Sequence, residues 1–140
     1  SLMVGYDQFD WRFPWQALRL SQHPRWRTIS YEGQKRSPGN FTLVCQTTGN
    51  FAQNYLETAD LTTVAITLLD ELQNLFTLPT PQWWQIQRWR YALPAMNYGQ
   101  AYYRFATDSP LIACGDWCLG NGIEGAIAAG LATGDALLSA

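Results

Sequence analysis

Residues 111–140 read LIACGDWCLGNGIEGAIAAGLATGDALLSA, and this stretch decides how the chain is organised. An apolar run, 111–114, suits a strand. It ends at Gly115-Asp116, passes a glycine-rich turn and enters a segment dominated by Ala and Gly. The order strand, turn, helix places backbone N–H groups at a helix start, where the dipole favours an anionic group. The stretch holds a literal G-x-G-x-x-G at Gly120, Gly122 and Gly125. A complete mononucleotide-binding unit also needs a second parallel strand and an acidic residue about 20 positions further on. Only fifteen residues follow Gly125, so that reading is set aside.

Helix-start chemistry continues in the next turn. Asn121 and Glu124 have the spacing of a capping box, with Asn121 as N-cap. Ala126, Gly130, Thr133 and Gly134 form a face of small residues. Glycine inside a helix costs roughly 1 kcal/mol against alanine, so Gly130 and Gly134 suggest close packing against a sheet or ligand.

Upstream, periodicity gives a coarse element order. Strands are expected over 15–20, 26–31, 41–46, 83–92, 102–106 and 111–114, rich in aromatic and β-branched residues. A short helix is expected over 50–56. A long helix is expected over 61–76, capped by Asp60 and stopped by Pro79 and Pro81. Leu61, Val64, Ala65, Leu68, Leu69, Leu72, Leu75 and Phe76 lie three and four apart, as one buried stripe requires. In 83–92, alternation sets Trp84, Ile86, Arg88 and Arg90 against Trp83, Gln85, Gln87, Trp89 and Tyr91. Neither set is purely apolar. A sheet with one face on a helix and the other lining a ligand cavity accounts for that. The fold class expected is α+β: a mostly antiparallel sheet with one long helix, followed by a C-terminal strand–turn–helix.

Composition limits the function classes. The 140 residues suffice for one domain with a real core. Charged residues are 14 %, well below the usual quarter, so surface is expected to be hidden against a partner. Seven Trp and seven Tyr suit buried contacts and concave pockets. A net charge of −2 disfavours nucleic-acid binding, which calls for a basic stripe. The odd cysteine count (Cys45, Cys114, Cys118) points away from a disulfide framework and towards a reducing, cytoplasmic compartment. No metal site is expected, since His23 is the only histidine. It precedes Pro24 in a turn and reads as a surface residue. No apolar run is long enough for a transmembrane helix, and no signal peptide opens the chain.

The C-terminal stretch resembles the flavin-contacting motif of FAD-dependent amine oxidoreductases, especially the renalase-like branch. Gly115-Asp116 is similar to that family's Gly-Asp, and Gly122-Ile123-Glu124-Gly125-Ala126 to its helix-opening G-x-E-G-A. Arg88-Trp89-Arg90-Tyr91-Ala92-Leu93-Pro94 resembles its R-W-R-Y-A-x-P strand, and residues 41–57 the strand and short helix before it. The resemblance implies a substrate-domain region at 1–110 and a flavin-contacting strand and helix at 111–140. It implies the C-terminal portion of a longer flavoprotein whose N-terminal Rossmann domain is not in this chain. FAD would then bind the longer protein and not this piece tightly.

Under the resemblance, Gly115, Asp116, Gly122, Ile123, Glu124 and Gly125 contact the cofactor. Asp116 would bond a ribityl hydroxyl. The N–H groups of Gly122 and Ile123 would face the pyrimidine oxygen, and Glu124 would act as a cap. Trp89, Arg90 and Tyr91 would line a substrate pocket. The strand at 111–114 would belong to the missing sheet, so here it is expected to lack a partner and to promote self-association. Two other readings stand beside this one. One is a non-catalytic α+β binding module with a Trp-lined apolar cleft. The other is a flavoprotein that desaturates or isomerises lipids, in the manner of carotenoid desaturases.

Overall fold

The computed structural model describes the chain apart from residues 8, 10–11, 34, 36–40, 121 and 140. In chain order the elements are β1 (Leu2–Tyr6), β2 (Ala17–Arg19), β3 (Trp26–Tyr31), β4 (Phe41–Thr47), α1 (Gly49–Gln53), α2 (Thr62–Phe76), β5 (Trp83–Ile86), β6 (Tyr103–Phe105), β7 (Leu111–Ala113), α3 (Asp116–Leu119) and α4 (Ile123–Leu138). The class is α+β. Five strands form an antiparallel sheet in the order β2-β3-β4-β1-β5, and β6 and β7 form a second, two-stranded sheet. The chain separates into two compact units, Ser1–Arg90 and Tyr91–Ala140.

Strand register builds the core of the first unit. Leu2 faces Cys45 on one side and Ile86 on the other, and Val4 faces Leu43 and Trp84. Cys45 in turn faces Ile29, and Tyr6 faces Phe41. Because a strand alternates its faces, all these residues share one side of the sheet. On that side α2 contributes Val64, Ala65, Leu68 and Leu72, and α1 contributes Phe51. Met3, Gly5, Thr28, Ser30, Thr42, Val44, Trp83 and Gln85 occupy the other face. All but Gly5 keep part of their surface accessible.

The interior strand β1 is not legible in the sequence, since five residues with a glycine inside the strand give too little pattern. Helix α2 starts at Thr62 with Leu61, not Asp60, at the N-cap position, and Asp60 just before it supplies the side-chain acceptor. The Thr62 N–H and hydroxyl both donate to Asp60 Oδ1, at 2.9 and 2.6 Å. It ends before either proline, with Thr77 left-handed (φ 51°) and its N–H bonded to the Gln73 carbonyl. Leu75 falls off the buried stripe and is exposed. The short helix α1 stops at Gln53, capped by Thr48, whose hydroxyl accepts from the Phe51 N–H.

The strand expected over 83–92 ends at Ile86. Its ladder partner is β1, whose first residue, Leu2, pairs with Ile86. One more rung forms, the Gln87 N–H donating to the Ser1 carbonyl and the Ser1 amino group to the Gln87 carbonyl, both at 2.8 Å. The expectation that 111–114 lacks a partner is also corrected. β7 pairs with β6, Tyr103 against Ala113 and Phe105 against Leu111.

Candidate functional site

In the second unit the glycine-rich turn is built by close approach of backbones. A Cβ on Gly125 would lie 2.3 Å from the Gly120 carbonyl oxygen, so no larger residue fits there without movement. Gly122 has φ 153° and ψ 179°, a conformation that side chains other than glycine's rarely adopt. These two constraints set the start of α4 against the end of α3. The Ala126 N–H closes the first intrahelical bond, to the Gly122 carbonyl. The N–H groups before it have no intrahelical partner by construction and point out along the axis.

Gly115 and Asp116 open α3 directly after β7, with Asp116 half-buried as its first residue. Cys118 is buried beneath. Backbone bonds from the Tyr98 N–H to the Trp117 carbonyl (2.8 Å) and from the Gly99 N–H to the Cys118 carbonyl (2.9 Å) strap the preceding loop to α3. Tyr98 packs on Trp117, with ring centroids 5.7 Å apart. The residues expected to contact a cofactor therefore form two neighbouring helix starts: Gly115-Asp116 at α3, and Gly122, Ile123, Glu124 and Gly125 at α4.

Two details differ from the sequence expectation. The N-cap of α4 is Gly122, with no side-chain capping bond, and Asn121 lies outside the described residues. Glu124 sits in the first turn instead, where its charge complements the helix dipole. Nor do Gly130 and Gly134 mark a close contact: nothing lies within 4 Å of a Cβ built on either. The covered side of α4 is lined by Ala129, which is fully buried.

In the first unit Arg88 and Arg90 clasp one turn. Arg90 forms a forked pair with Glu57 (2.6 and 3.2 Å) and donates to the Leu56 carbonyl (2.9 Å). Arg88 donates to the carbonyls of Leu56 (2.5 Å) and Thr58. The Arg90 hydrogen bond, then its charge, holds the Glu57 carboxyl below the usual carboxylate range. Arg90 is thus engaged in fastening residues 56–58. Trp89 and Tyr91 are largely exposed, and Tyr91 belongs to the second unit.

Sequence reasoning missed two further groups. One is the pairing of Gly5 with Trp83: the indole covers Gly5 so closely that a Cβ there would meet Nε1 at 2.1 Å. A glycine inside a strand often marks such an approach, but the partner's identity depends on register. The other is His23, read as a surface residue but four-fifths buried. Its Nδ1 accepts from the N–H groups of Arg25 (3.3 Å) and Trp26 (3.1 Å), and its Nε2 lies 3.9 Å from Glu71. Arg25 pairs with the same carboxylate at 3.3 Å. This cluster ties the β2–β3 turn to α2 and is structural.

Among the described residues no group of His, Cys, Asp and Glu is arranged to hold a metal ion, and no helix is long and apolar enough to cross a membrane. Comparison with known proteins matched the chain to no family model and to no curated protein.

Proposed function

We propose that this chain is the substrate-domain and flavin-closing part of a cytoplasmic FAD-dependent oxidoreductase of the amine-oxidase, renalase-like type. The observation that carries the reading is the helix opening at Gly122–Gly125, next to Gly115-Asp116. There the glycines are required by the geometry of the backbone and not merely by composition. The donors fit the group. N–H groups of Ile123 and Glu124 at the start of α4 suit an electron-rich carbonyl of the flavin ring. The Asp116 carboxylate suits a hydroxyl of the ribityl chain.

When bound, the flavin would accept a hydride from a C–N centre of an amine or reduced nicotinamide-type substrate and pass two electrons to oxygen. The chain's own contribution is position and electrostatics. The dipole of α4 stabilises negative charge in front of Gly122, and the absence of a side chain there lets a planar ring approach the backbone. An N-terminal Rossmann domain supplies the rest of the cofactor's contacts under this reading. Exposed apolar residues of the second unit make self-association the expected behaviour of the chain alone.

Flavin titration tests the proposal. This chain and a version extended N-terminally from its parent gene are titrated with FAD, following absorbance and fluorescence quenching. Stoichiometric yellow flavin is expected in the longer protein and none in this chain. Gly122→Ala in the longer protein is expected to weaken flavin retention by at least about tenfold. Absence of flavin from both overturns the oxidoreductase reading and favours the binding module, for which exposed Trp84 beside Ile66 and Leu69 is the supporting feature.

A further inference from the structure

A groove of about 540 Å³ runs between α2 and the segment that leads into β5. It lies on the α2 side of the sheet, the side opposite the open face. Ile66 and Leu69 of α2 form one wall and Trp84 of β5 forms the other; Trp83 borders the groove, but its indole lies over Gly5 on the opposite face of the sheet. Trp84 retains 37 % of its surface. The volume falls within the range of small-molecule sites.

Charge decides what such a groove accepts. Among its described lining residues Asp70 alone is charged, and it is exposed on α2. The neighbouring carboxylate, Glu71, is engaged by Arg25 and faces His23. Arg25 and Asp70 both line the adjacent groove, but Arg25 is not a lining residue of this one. A carboxylate beside an exposed aromatic ring repels anions. It favours a cation that sheds part of its hydration against the ring face.

We propose that this groove binds an organic ammonium ion, its apolar substituents against Ile66 and Leu69 and its charge shared between the Trp84 ring and the Asp70 carboxylate. The proposal goes beyond the flavin reading and does not depend on it. A primary or quaternary ammonium satisfies the site equally, because neither Asp70 nor an indole face demands a particular number of N–H donors.

The test is a two-dimensional NMR titration of the full chain with choline and with its neutral isostere, 3,3-dimethylbutan-1-ol. Saturable shifts of the Trp84 indole N–H signal are expected with choline, while that of Trp83, whose indole lies over Gly5 on the opposite face, stays in place. Binding of the isostere is expected to be weaker by about tenfold. Asp70→Asn, an exposed and isosteric change, should weaken choline by about the same factor and leave the isostere unaffected. Trp84→Leu should abolish both responses, with circular dichroism confirming that α2 persists. Equal affinity for choline and its isostere, no effect of Asp70→Asn, or no saturation at all would each overturn the assignment.

Discussion

Cys45 shows how one buried side chain links packing to a measurable titration. It is fully buried between Leu2 and Ile29, and burial, the larger effect, pushes its thiol up from 9.0 to about 12. Tyr6, on the same face, is raised above 10.0, by burial first and the Cys45 charge second. Both acids keep their protons in the fold at pH values where the unfolded chain releases them. Their contribution to stability is therefore complete below about pH 9 and declines as pH rises through the window up to about 12. Denaturant midpoints measured at about pH 8 and about pH 10.5 are expected to fall at the higher value. Cys45→Ala should remove part of that dependence; an unchanged pH profile in the variant would show that Cys45 is not responsible. Cys114, which is exposed, should react with a thiol reagent in the native protein while Cys45 does not. At this scale the sequence was only partly legible. The partners that hold Arg90, Glu57 and Leu56, lie more than thirty positions away and carry no local signal in the sequence.

Between β1 and β5 the decisive contact is Gly5 under Trp83. Gly5→Ala would drive a Cβ into the indole, so Trp83 must swing away or the two strands must separate. Overpacking of this kind costs typically 1–3 kcal/mol. The expected result is a loss of about that size in chemical denaturation, largely absent when the same change is made in a Trp83→Ala background. Equal losses in both backgrounds would place the cost elsewhere in β1. The same pair of strands explains which elements could be read in advance. β3, β4 and α2 carry strong internal periods, and each was read to within a residue or so of its bounds. β5 was read six residues too long, because a strand ends where its neighbour ends, and that neighbour, β1, was itself unread. Helix α4 was visible as a helix but not by amphipathicity. Ile123, Ile127, Leu131 and Leu138, spaced by four, four and seven, form one exposed apolar stripe, and buried Ala129 lies on the opposite side. An apolar stripe of that kind ordinarily faces a core.

The two units differ in how well each is held together, and this difference bears directly on the proposed function. The first buries a continuous cluster that includes Trp26, Leu43, Leu68 and Leu72. In the second, the buried hydrophobic residues are Cys118 and Ala129, while Tyr91, Met96, Ile123 and Leu131 are well exposed. Burial of apolar area is the main source of stability, at about 25 cal/mol per Å². The second unit should therefore open at far lower free energy than the first. Native-state hydrogen exchange is expected to show the slowest amides in β1, β3, β4 and α2. Those of α4 should exchange at least about a hundredfold faster. The proposed function adds a second arm to the experiment. If α4 closes over a flavin and packs on a Rossmann domain, its amides should slow markedly in the longer protein, and slow further with FAD bound. Protection of α4 equal to that of α2 in this chain alone would mean that the second unit is complete without further covering. Unequal protection that no N-terminal extension restores would leave α4 helical and exposed but remove the reason given for its apolar surface. Only slow exchange gained with the extension agrees with a helix whose outer residues, Ile127 and Leu131 among them, are chosen for burial against another part of a flavoprotein.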